Sequence, residues 1–317
     1  KTAYEEALGV SFAGRRALVS MKHVGLNVAA DPFMNSALIS INGGLVVAVA
    51  DDPGMHSSQN EQDSRYYVQF ARVICLEPSS HQQAYEMTRE AFDLSERFQI
   101  PIMIRLVTRL AHSRGNVRAG APRPENPLAK SAAPASWILL PANARRQWRA
   151  LLERQPEMRR YTESCPHNTV TGAASPAEFG VITTGLARNY YIENLEDLGV
   201  APPHLHVGAY PFPAEAIRAF VGSLRRVLVL EEGYPYLERA LRGIVPPALE
   251  IEGRESGHVP PDGELNPDIV RASLGLEARR GLMTQGLTLP PRPPQLCAGC
   301  PHGDSFHAVT AALAGFP

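Results

Sequence analysis

Apolar residues in the first third of the chain fall in short unbroken runs rather than in strict alternation. Residues 16–21 (RALVSM), 45–50 (LVVAVA), 72–76 (RVICL) and 101–107 (PIMIRLV) are such runs. Between them lie stretches with helical spacing: residues 4–14, a segment opened by Asp31-Pro32, and residues 79–98. Asp31 reads as an N-cap with Pro32 at the first helical position, and Ser79-Ser80 as the cap of the long helix. Strands apolar on both faces and alternating with helices predict a parallel sheet covered on both sides. The pattern ends near residue 113.

Residues 114–135, rich in Pro, Ala, Gly and Arg, have no period and read as a linker. A basic helix at 143–161 follows, on the surface or crossing between domains. A second α/β pattern starts near residue 176, with strands at 179–184, 205–208 and 227–231 and helices at 186–198, 213–222 and 234–243. Residues 253–294 are again Pro- and Gly-rich, and the final stretch turns into a helix. The expected fold is therefore α/β, two three-layer domains with mainly parallel sheets. Its divisions are a first domain at 1–113, a linker with a surface helix at 114–174, a second domain at 175–252, a linker at 253–295, and the start of a further domain at 296–317.

Charge and composition narrow the classes. Thirty-one Lys and Arg against 32 Asp and Glu leave no basic stripe for nucleic acid or an anionic membrane. The longest apolar stretch, 37–50, is broken by Ser40, Asn42 and two glycines, short of the about 20 residues a membrane span takes. Lys1 leads into a helical pattern without a signal-peptide core. Four cysteines in 317 residues argue against a disulfide framework and fit a reduced cytoplasm.

Loop 51–64 leaves the carboxyl end of a parallel strand, where ligand sites of open α/β sheets gather. It carries His56, Ser57, Ser58, Gln59 and Asn60, and Arg65 follows. Arginine grips a carboxylate bidentately, for about 1.5–3 kcal/mol; the alternative is that Asp63 and Arg65 simply pair or cap a helix. Lys22, His23 and Asn27 follow the strand at 16–21, and His112 follows another strand end, where packing is the favoured role. Cys297 and Cys300 form one CxxC with His302 beside it, half of a four-ligand site. Cys75 reads as core. Thr184-Gly185 lacks the rest of a dinucleotide fingerprint, and Glu231 and Glu232 read as solvated or interface carboxylates.

Three segments carry a family likeness: MKHVGLNVAADP at 21–32, ADDPGMHSSQNEQDSRYY at 50–67 followed by LEPSS at 76–80, and LCAGCPHG at 296–303. VLVLEEGYPYLE at 227–238 and DGELNPDIV at 262–270 add to it. In order and spacing the chain resembles the large subunit of the thiamine-diphosphate-dependent 2-oxoacid:ferredoxin oxidoreductases, closest to the indolepyruvate type. The resemblance implies a first domain that binds the cofactor's aminopyrimidine ring and a middle domain like the carboxy-terminal domain of transketolases. CAGCPH then marks entry to a domain for the diphosphate and Mg²⁺, followed by a module with [4Fe-4S] clusters. The activity implied is oxidative decarboxylation of aryl pyruvates such as indolepyruvate to acyl-CoA. Its implied partners are ferredoxin, coenzyme A and a small partner subunit in a homo- or hetero-oligomer.

Carried over residue by residue, the resemblance gives Arg65 the substrate carboxylate, with Gln59, Asn60, His56 and Ser57 around it. It gives Lys22, His23, Asn27, Cys300 and His302 contacts to the cofactor. Cys297 and Cys300 are read first as a turn lining the diphosphate side and second as cluster ligands. The chain departs from the family at both ends. The Gly-Asp-Gly…Asn element and the eight-cysteine module are missing, and the catalytic glutamate falls before Lys1; Glu5 and Glu6 do not take its place. No catalytic residue is therefore expected in the chain, which reads as truncated at both ends. It is expected to fold alone, to bind the cofactors weakly if at all, and to be inactive alone. The alternatives are the same chemistry on phenylglyoxylate or pyruvate, or a non-catalytic two-domain binding protein.

Overall fold

A computed structural model describes residues 1–129, 133–172, 177–281, 286, 296 and 298–316. Lys1–Ala278 form one compact unit and Arg279–Pro317 another.

The first unit begins with α1 (Thr2–Phe12), β1 (Ala17–Lys22), α2 (His23–Val28), α3 (Ala30–Ser36), β2 (Leu45–Asp51) and α4 (Arg65–Ala71). β3 (Cys75–Leu76), α5 (His81–Phe98), β4 (Ile102–Val107) and α6 (Thr108–His112) complete this half. After α7 (Pro141–Ser164) come β5 (Asn168–Thr171), β6 (Phe179–Thr184), α8 (Ala187–Glu193), β7 (His204–Val207) and β8 (Ala209–Tyr210). α9 (Ala214–Val221), β9 (Arg226–Leu230), α10 (Tyr236–Leu241), β10 (Glu250–Glu252) and α11 (Pro267–Ser273) close the unit.

One sheet has the order β1-β2-β4-β3-β8, the other β10-β9-β6-β7-β5. Within them β8 is antiparallel to β3 and β5 to β7; every other pairing is parallel, as the apolar runs predict. Leu45, Val46, Val47 and Val49 of β2 are fully buried, each stabilising the core by about 1.5–3 kcal/mol. Met87, Ala91, Leu94 and Phe98 form the buried stripe of α5, whose N-cap Ser80 accepts from the Gln83 amide.

Several local expectations need correction. Asp31 is not a cap: α2 runs almost directly into α3 through Ala29, so Asp31 sits in the first turn instead. The run 72–76 yields only a two-residue strand, because Arg72 takes a left-handed conformation (φ 58°) to end α4. Residues 114–129 have no regular structure, yet they are strapped along α5. Arg118 N donates to Gln82, Gly120 N to the Tyr85 hydroxyl, Asn126 to Glu96, and Ala129 N to the Ala13 carbonyl. The span 253–295, expected as a linker, contains α11. Three short strands, β5, β8 and β10, were not expected.

β8 matters most among them. The chain leaves β7 in one sheet, passes Gly208 and enters the other sheet as β8. A Cβ at Gly208 would lie 2.9 Å from the His167 carbonyl oxygen, so only glycine fits this crossing. The Glu77 amide donates to the Gly208 carbonyl at 2.8 Å and seals the seam.

In the second unit α12 (Pro301–Leu313) is preceded by Gly299 in a left-handed conformation. Cys300 Sγ lies 3.3 Å from His302 Nδ1, as their closeness in sequence suggests. Cys297 lies outside the described residues. Among the described residues no helix is long and apolar enough to cross a membrane.

Candidate functional site

β1, β2 and β4 end side by side, at Lys22, Asp51 and Val107, and the loop from β2 to α4 folds back over those ends. Asp52 organises it. Its carboxylate accepts from the amides of His56 (3.2 Å) and Ser57 (3.0 Å), and from the hydroxyls of Ser58 (2.7 Å) and Thr108 (2.7 Å). Lys22 Nζ adds a contact at 3.3 Å. Burial alone would raise this carboxyl, but the hydrogen bonds from Thr108, Ser58, Ser57 and Lys22 outweigh it and hold Asp52 well below the usual carboxylate range. Asp52 is thus a fixed anion that shapes the loop.

Beside it opens a cleft of about 110 Å³, lined by Lys22, Ala50, Asp51, Asp52, Ser57, Thr108, Ala111 and His112. Lys22 Nζ also reaches Ser57 Oγ at 3.0 Å. An ammonium has three donors, and Asp52 and Ser57 take two. Its remaining donor, the exposed Ser57 and the exposed His112 give the cleft a polar rim.

Behind the loop lies a buried ionic seam between the two sheets. Arg105, in the middle of β4, donates to Asp51 (2.7 Å), Glu77 (2.5 Å) and the Glu232 carbonyl (3.0 Å). Arg65 donates to Asp63 (2.9 Å from Nε), Glu231 (2.7 Å) and the carbonyls of Glu232 (2.9 Å) and Tyr234 (3.0 Å). Its Cζ lies 5.0 Å from the Tyr236 ring centroid, a cation–π distance. Both guanidiniums are fully buried. Asp51 in turn accepts from Ser64 N and Oγ, which fixes the far end of the loop.

The loop is also tied to the segment before α11. Glu264 accepts from Arg109 at 2.7 Å and faces His56 Nε2 at 3.3 Å. Next to it, Glu232 is pushed up to about 7 by burial, its carboxyl accepting from the Leu265 amide alone among the described residues.

The structure thus separates the residues singled out in the sequence. Lys22 and Ser57 meet at the cleft. His56 turns to Glu264, and Gln59 and Asn60 lie exposed on the outer part of the loop. Arg65, expected at the substrate carboxylate, is fully buried, bonded to Asp63, Glu231 and two carbonyls, and is not among the residues lining the cleft. It fills instead the pairing role that the sequence left open. His23, expected at the cofactor, is fully buried with Nε2 3.0 Å from the Asn60 carbonyl, so that it braces the loop. Asn27 is exposed and donates to Gln62 at 3.3 Å. His112, expected to be packed, is exposed on the cleft rim. Glu231 and Glu232 are interface carboxylates and not solvated ones. Cys300 and His302 belong to the second unit.

Sequence reasoning missed Asp51, Asp52, Glu77, Arg105 and Arg109. Arg105 had left a signal, since a charged residue inside an apolar strand is rarely buried unless paired.

The chain is 39% identical over 324 residues to the protein named indolepyruvate oxidoreductase subunit IorA of Archaeoglobus fulgidus. Proteins of the same name in Methanothermobacter thermautotrophicus and Thermococcus kodakarensis are 39% and 38% identical. Each match covers 98% of this chain, which spans about half the length of those relatives (51% or 52%). No protein-family model matches. A solved 2-oxoglutarate:ferredoxin oxidoreductase from Magnetococcus marinus, bound to 2-oxoglutarate, coenzyme A and succinyl-CoA, shares the fold. Its TM-score is 0.64 at 15% identity, over 86% of this chain and 55% of that one.

Proposed function

We propose that this chain, 39% identical to indolepyruvate oxidoreductase IorA subunits over about half of their length, is part of such a subunit, and that its loop cleft is the substrate-side wall of a 2-oxoacid oxidoreductase. The reaction is oxidative decarboxylation of an aryl pyruvate, indolepyruvate first, to an acyl-CoA with ferredoxin as electron acceptor. The carrying observation is the loop clamped on Asp52 at the carboxyl ends of β1, β2 and β4, which presents Lys22 and Ser57 side by side at the cleft.

A 2-oxoacid needs its carboxylate held. Lys22 Nζ has a donor to spare, Ser57 Oγ stands beside it, and Gln59, Asn60 and His56 are the adaptable polar surface of the same loop. Arg65 supports this reading from behind by holding the root of the loop to Glu231.

Thiamine diphosphate, when bound, supplies the carbon nucleophile and electron sink that decarboxylation of a 2-oxoacid requires. Thr108, beside the ionised Asp52, fits the edge of a hydrogen-bonding heterocycle, which leaves Lys22 and Ser57 to the substrate. The cleft residues do not fit a metal-diphosphate group: among the described residues no three His, Cys, Asp or Glu side chains converge to hold a metal. In this proposal the Mg²⁺, the diphosphate and the [4Fe-4S] clusters are held by other parts of the intact protein. A small partner subunit and coenzyme A complete the reaction, and the location is cytoplasmic.

The test is kinetics of the intact enzyme with Lys22→Met. Loss of one charge-assisted contact of about 1.5–3 kcal/mol predicts KM for indolepyruvate raised ~10- to 100-fold. Thiamine diphosphate affinity should change far less. Unchanged KM would contradict the assignment, and a preference for pyruvate or phenylglyoxylate over indolepyruvate would replace the substrate.

A further inference from the structure

At the opposite, amino-terminal edge of the β1–β2–β4 sheet lies a larger depression, about 640 Å³, with no part in the loop cleft. It is lined by Arg15, Arg16, Arg89, Arg123, Phe92 and Pro124, with Glu125 and Asn126 at the rim. Arg15 and Arg16 come from the turn before β1, Arg89 and Phe92 from α5, and the rest from the strap over α5.

The four guanidiniums are not equivalent. Arg16 forms a two-pronged pair with Glu96 at 2.8 and 2.9 Å, steadied by Asn126 at 2.7 Å, and makes a fixed floor. Arg123 donates to Asp93 at 2.5 Å and to the Arg89 carbonyl at 3.1 Å, which holds the strap down. Arg15 meets Glu125, whose side chain is 86% exposed and so easily exchanged for another anion. Arg89 reaches the Tyr85 hydroxyl at 3.3 Å and pairs with no carboxylate among the described residues. Four cations therefore face three carboxylates, Asp93, Glu96 and Glu125. Displacing Glu125 leaves an excess of two positive charges at a rim whose apolar faces are Phe92 and Pro124.

Arginine forks suit phosphate oxygens bidentately, and an aromatic ring beside a proline suits a flat base. We propose that this depression binds a nucleoside phosphate, with the phosphates on Arg15, Arg89 and Arg123 and the base against Phe92 and Pro124. The site is separate from the proposed substrate cleft and stands whether or not that assignment holds.

Calorimetric titration of the intact protein with ADP, adenosine and inorganic pyrophosphate at physiological salt tests it. ADP should bind saturably, with adenosine and pyrophosphate each about tenfold weaker or more. Arg15→Gln/Arg89→Gln should weaken ADP by about tenfold or more, while Glu125→Gln should tighten it. Arg89→Gln alone, which gives up only the Tyr85 contact, is the second variant should the double one melt early; it should weaken ADP in the same direction. Absence of ADP binding, or ADP binding that both arginine variants leave unchanged, would overturn the proposal. Pyrophosphate binding as tightly as ADP would also overturn it, because the base would then make no contact.

Discussion

Arg105 shows what a single buried charge does here. Its guanidinium donates to both Asp51 and Glu77 while fully buried, and its third contact takes the Glu232 carbonyl across the seam. Truncating one partner of such a set leaves charges buried and uncompensated, so Arg105→Met should cost about 3–5 kcal/mol, read by urea unfolding. A cost under about 1 kcal/mol would mean that the seam is hydrated. Glu232 gives a pH dependence. Its folded pKa, about 7, lies above its ordinary value because of burial. The unfolded chain therefore ionises first, and stability falls as pH rises from about 4.5 to 7, then levels off. Glu232→Gln should remove that slope, giving a gain on the order of 1–3 kcal/mol at pH 8 and none at pH 4. Parallel pH curves for the two proteins would contradict it. At this scale the sequence was only partly legible. Arg65 and Asp63 are neighbours and their pairing could be foreseen, but Glu231 lies 166 residues away from Arg65 and nothing local announces the contact.

Elements were read well where the apolar run was long and poorly where it was short. Six-residue strands such as β4 and β6 stand out because all but one position of each is buried. β5 is a half-exposed edge strand, and β8 has two residues whose placement depends on the turn at Gly208. That turn can be tested. Gly208→Ala sets a methyl against the His167 carbonyl, and backbone cannot yield as a side chain can. A loss of about 1–3 kcal/mol is expected in thermal or urea unfolding. Wild-type stability would show that the crossing has room. The strap at 114–129 was invisible to periodicity because its order comes from side chains of α5, not from its own backbone pattern.

On the scale of the molecule, the two sheets of Lys1–Ala278 share a buried ionic seam and a crossing strand, and the loop cleft sits where both constrain it. The chain spans about half the length of the IorA proteins it matches, and the central claim is the proposed role of its loop cleft as the substrate-side wall of a 2-oxoacid oxidoreductase. The family likeness was legible in the loop sequence 50–67, while which loop residue faces the cleft was not, since that depends on Asp52 and Arg105 together. The direct measurement is a structure of the intact enzyme with indolepyruvate bound. A substrate carboxylate within about 3.2 Å of Lys22 Nζ and Ser57 Oγ, with Arg65 still paired to Asp63 and Glu231, is the predicted result. A carboxylate held instead by an Arg65 released from those partners, or bound away from this loop, would contradict the account.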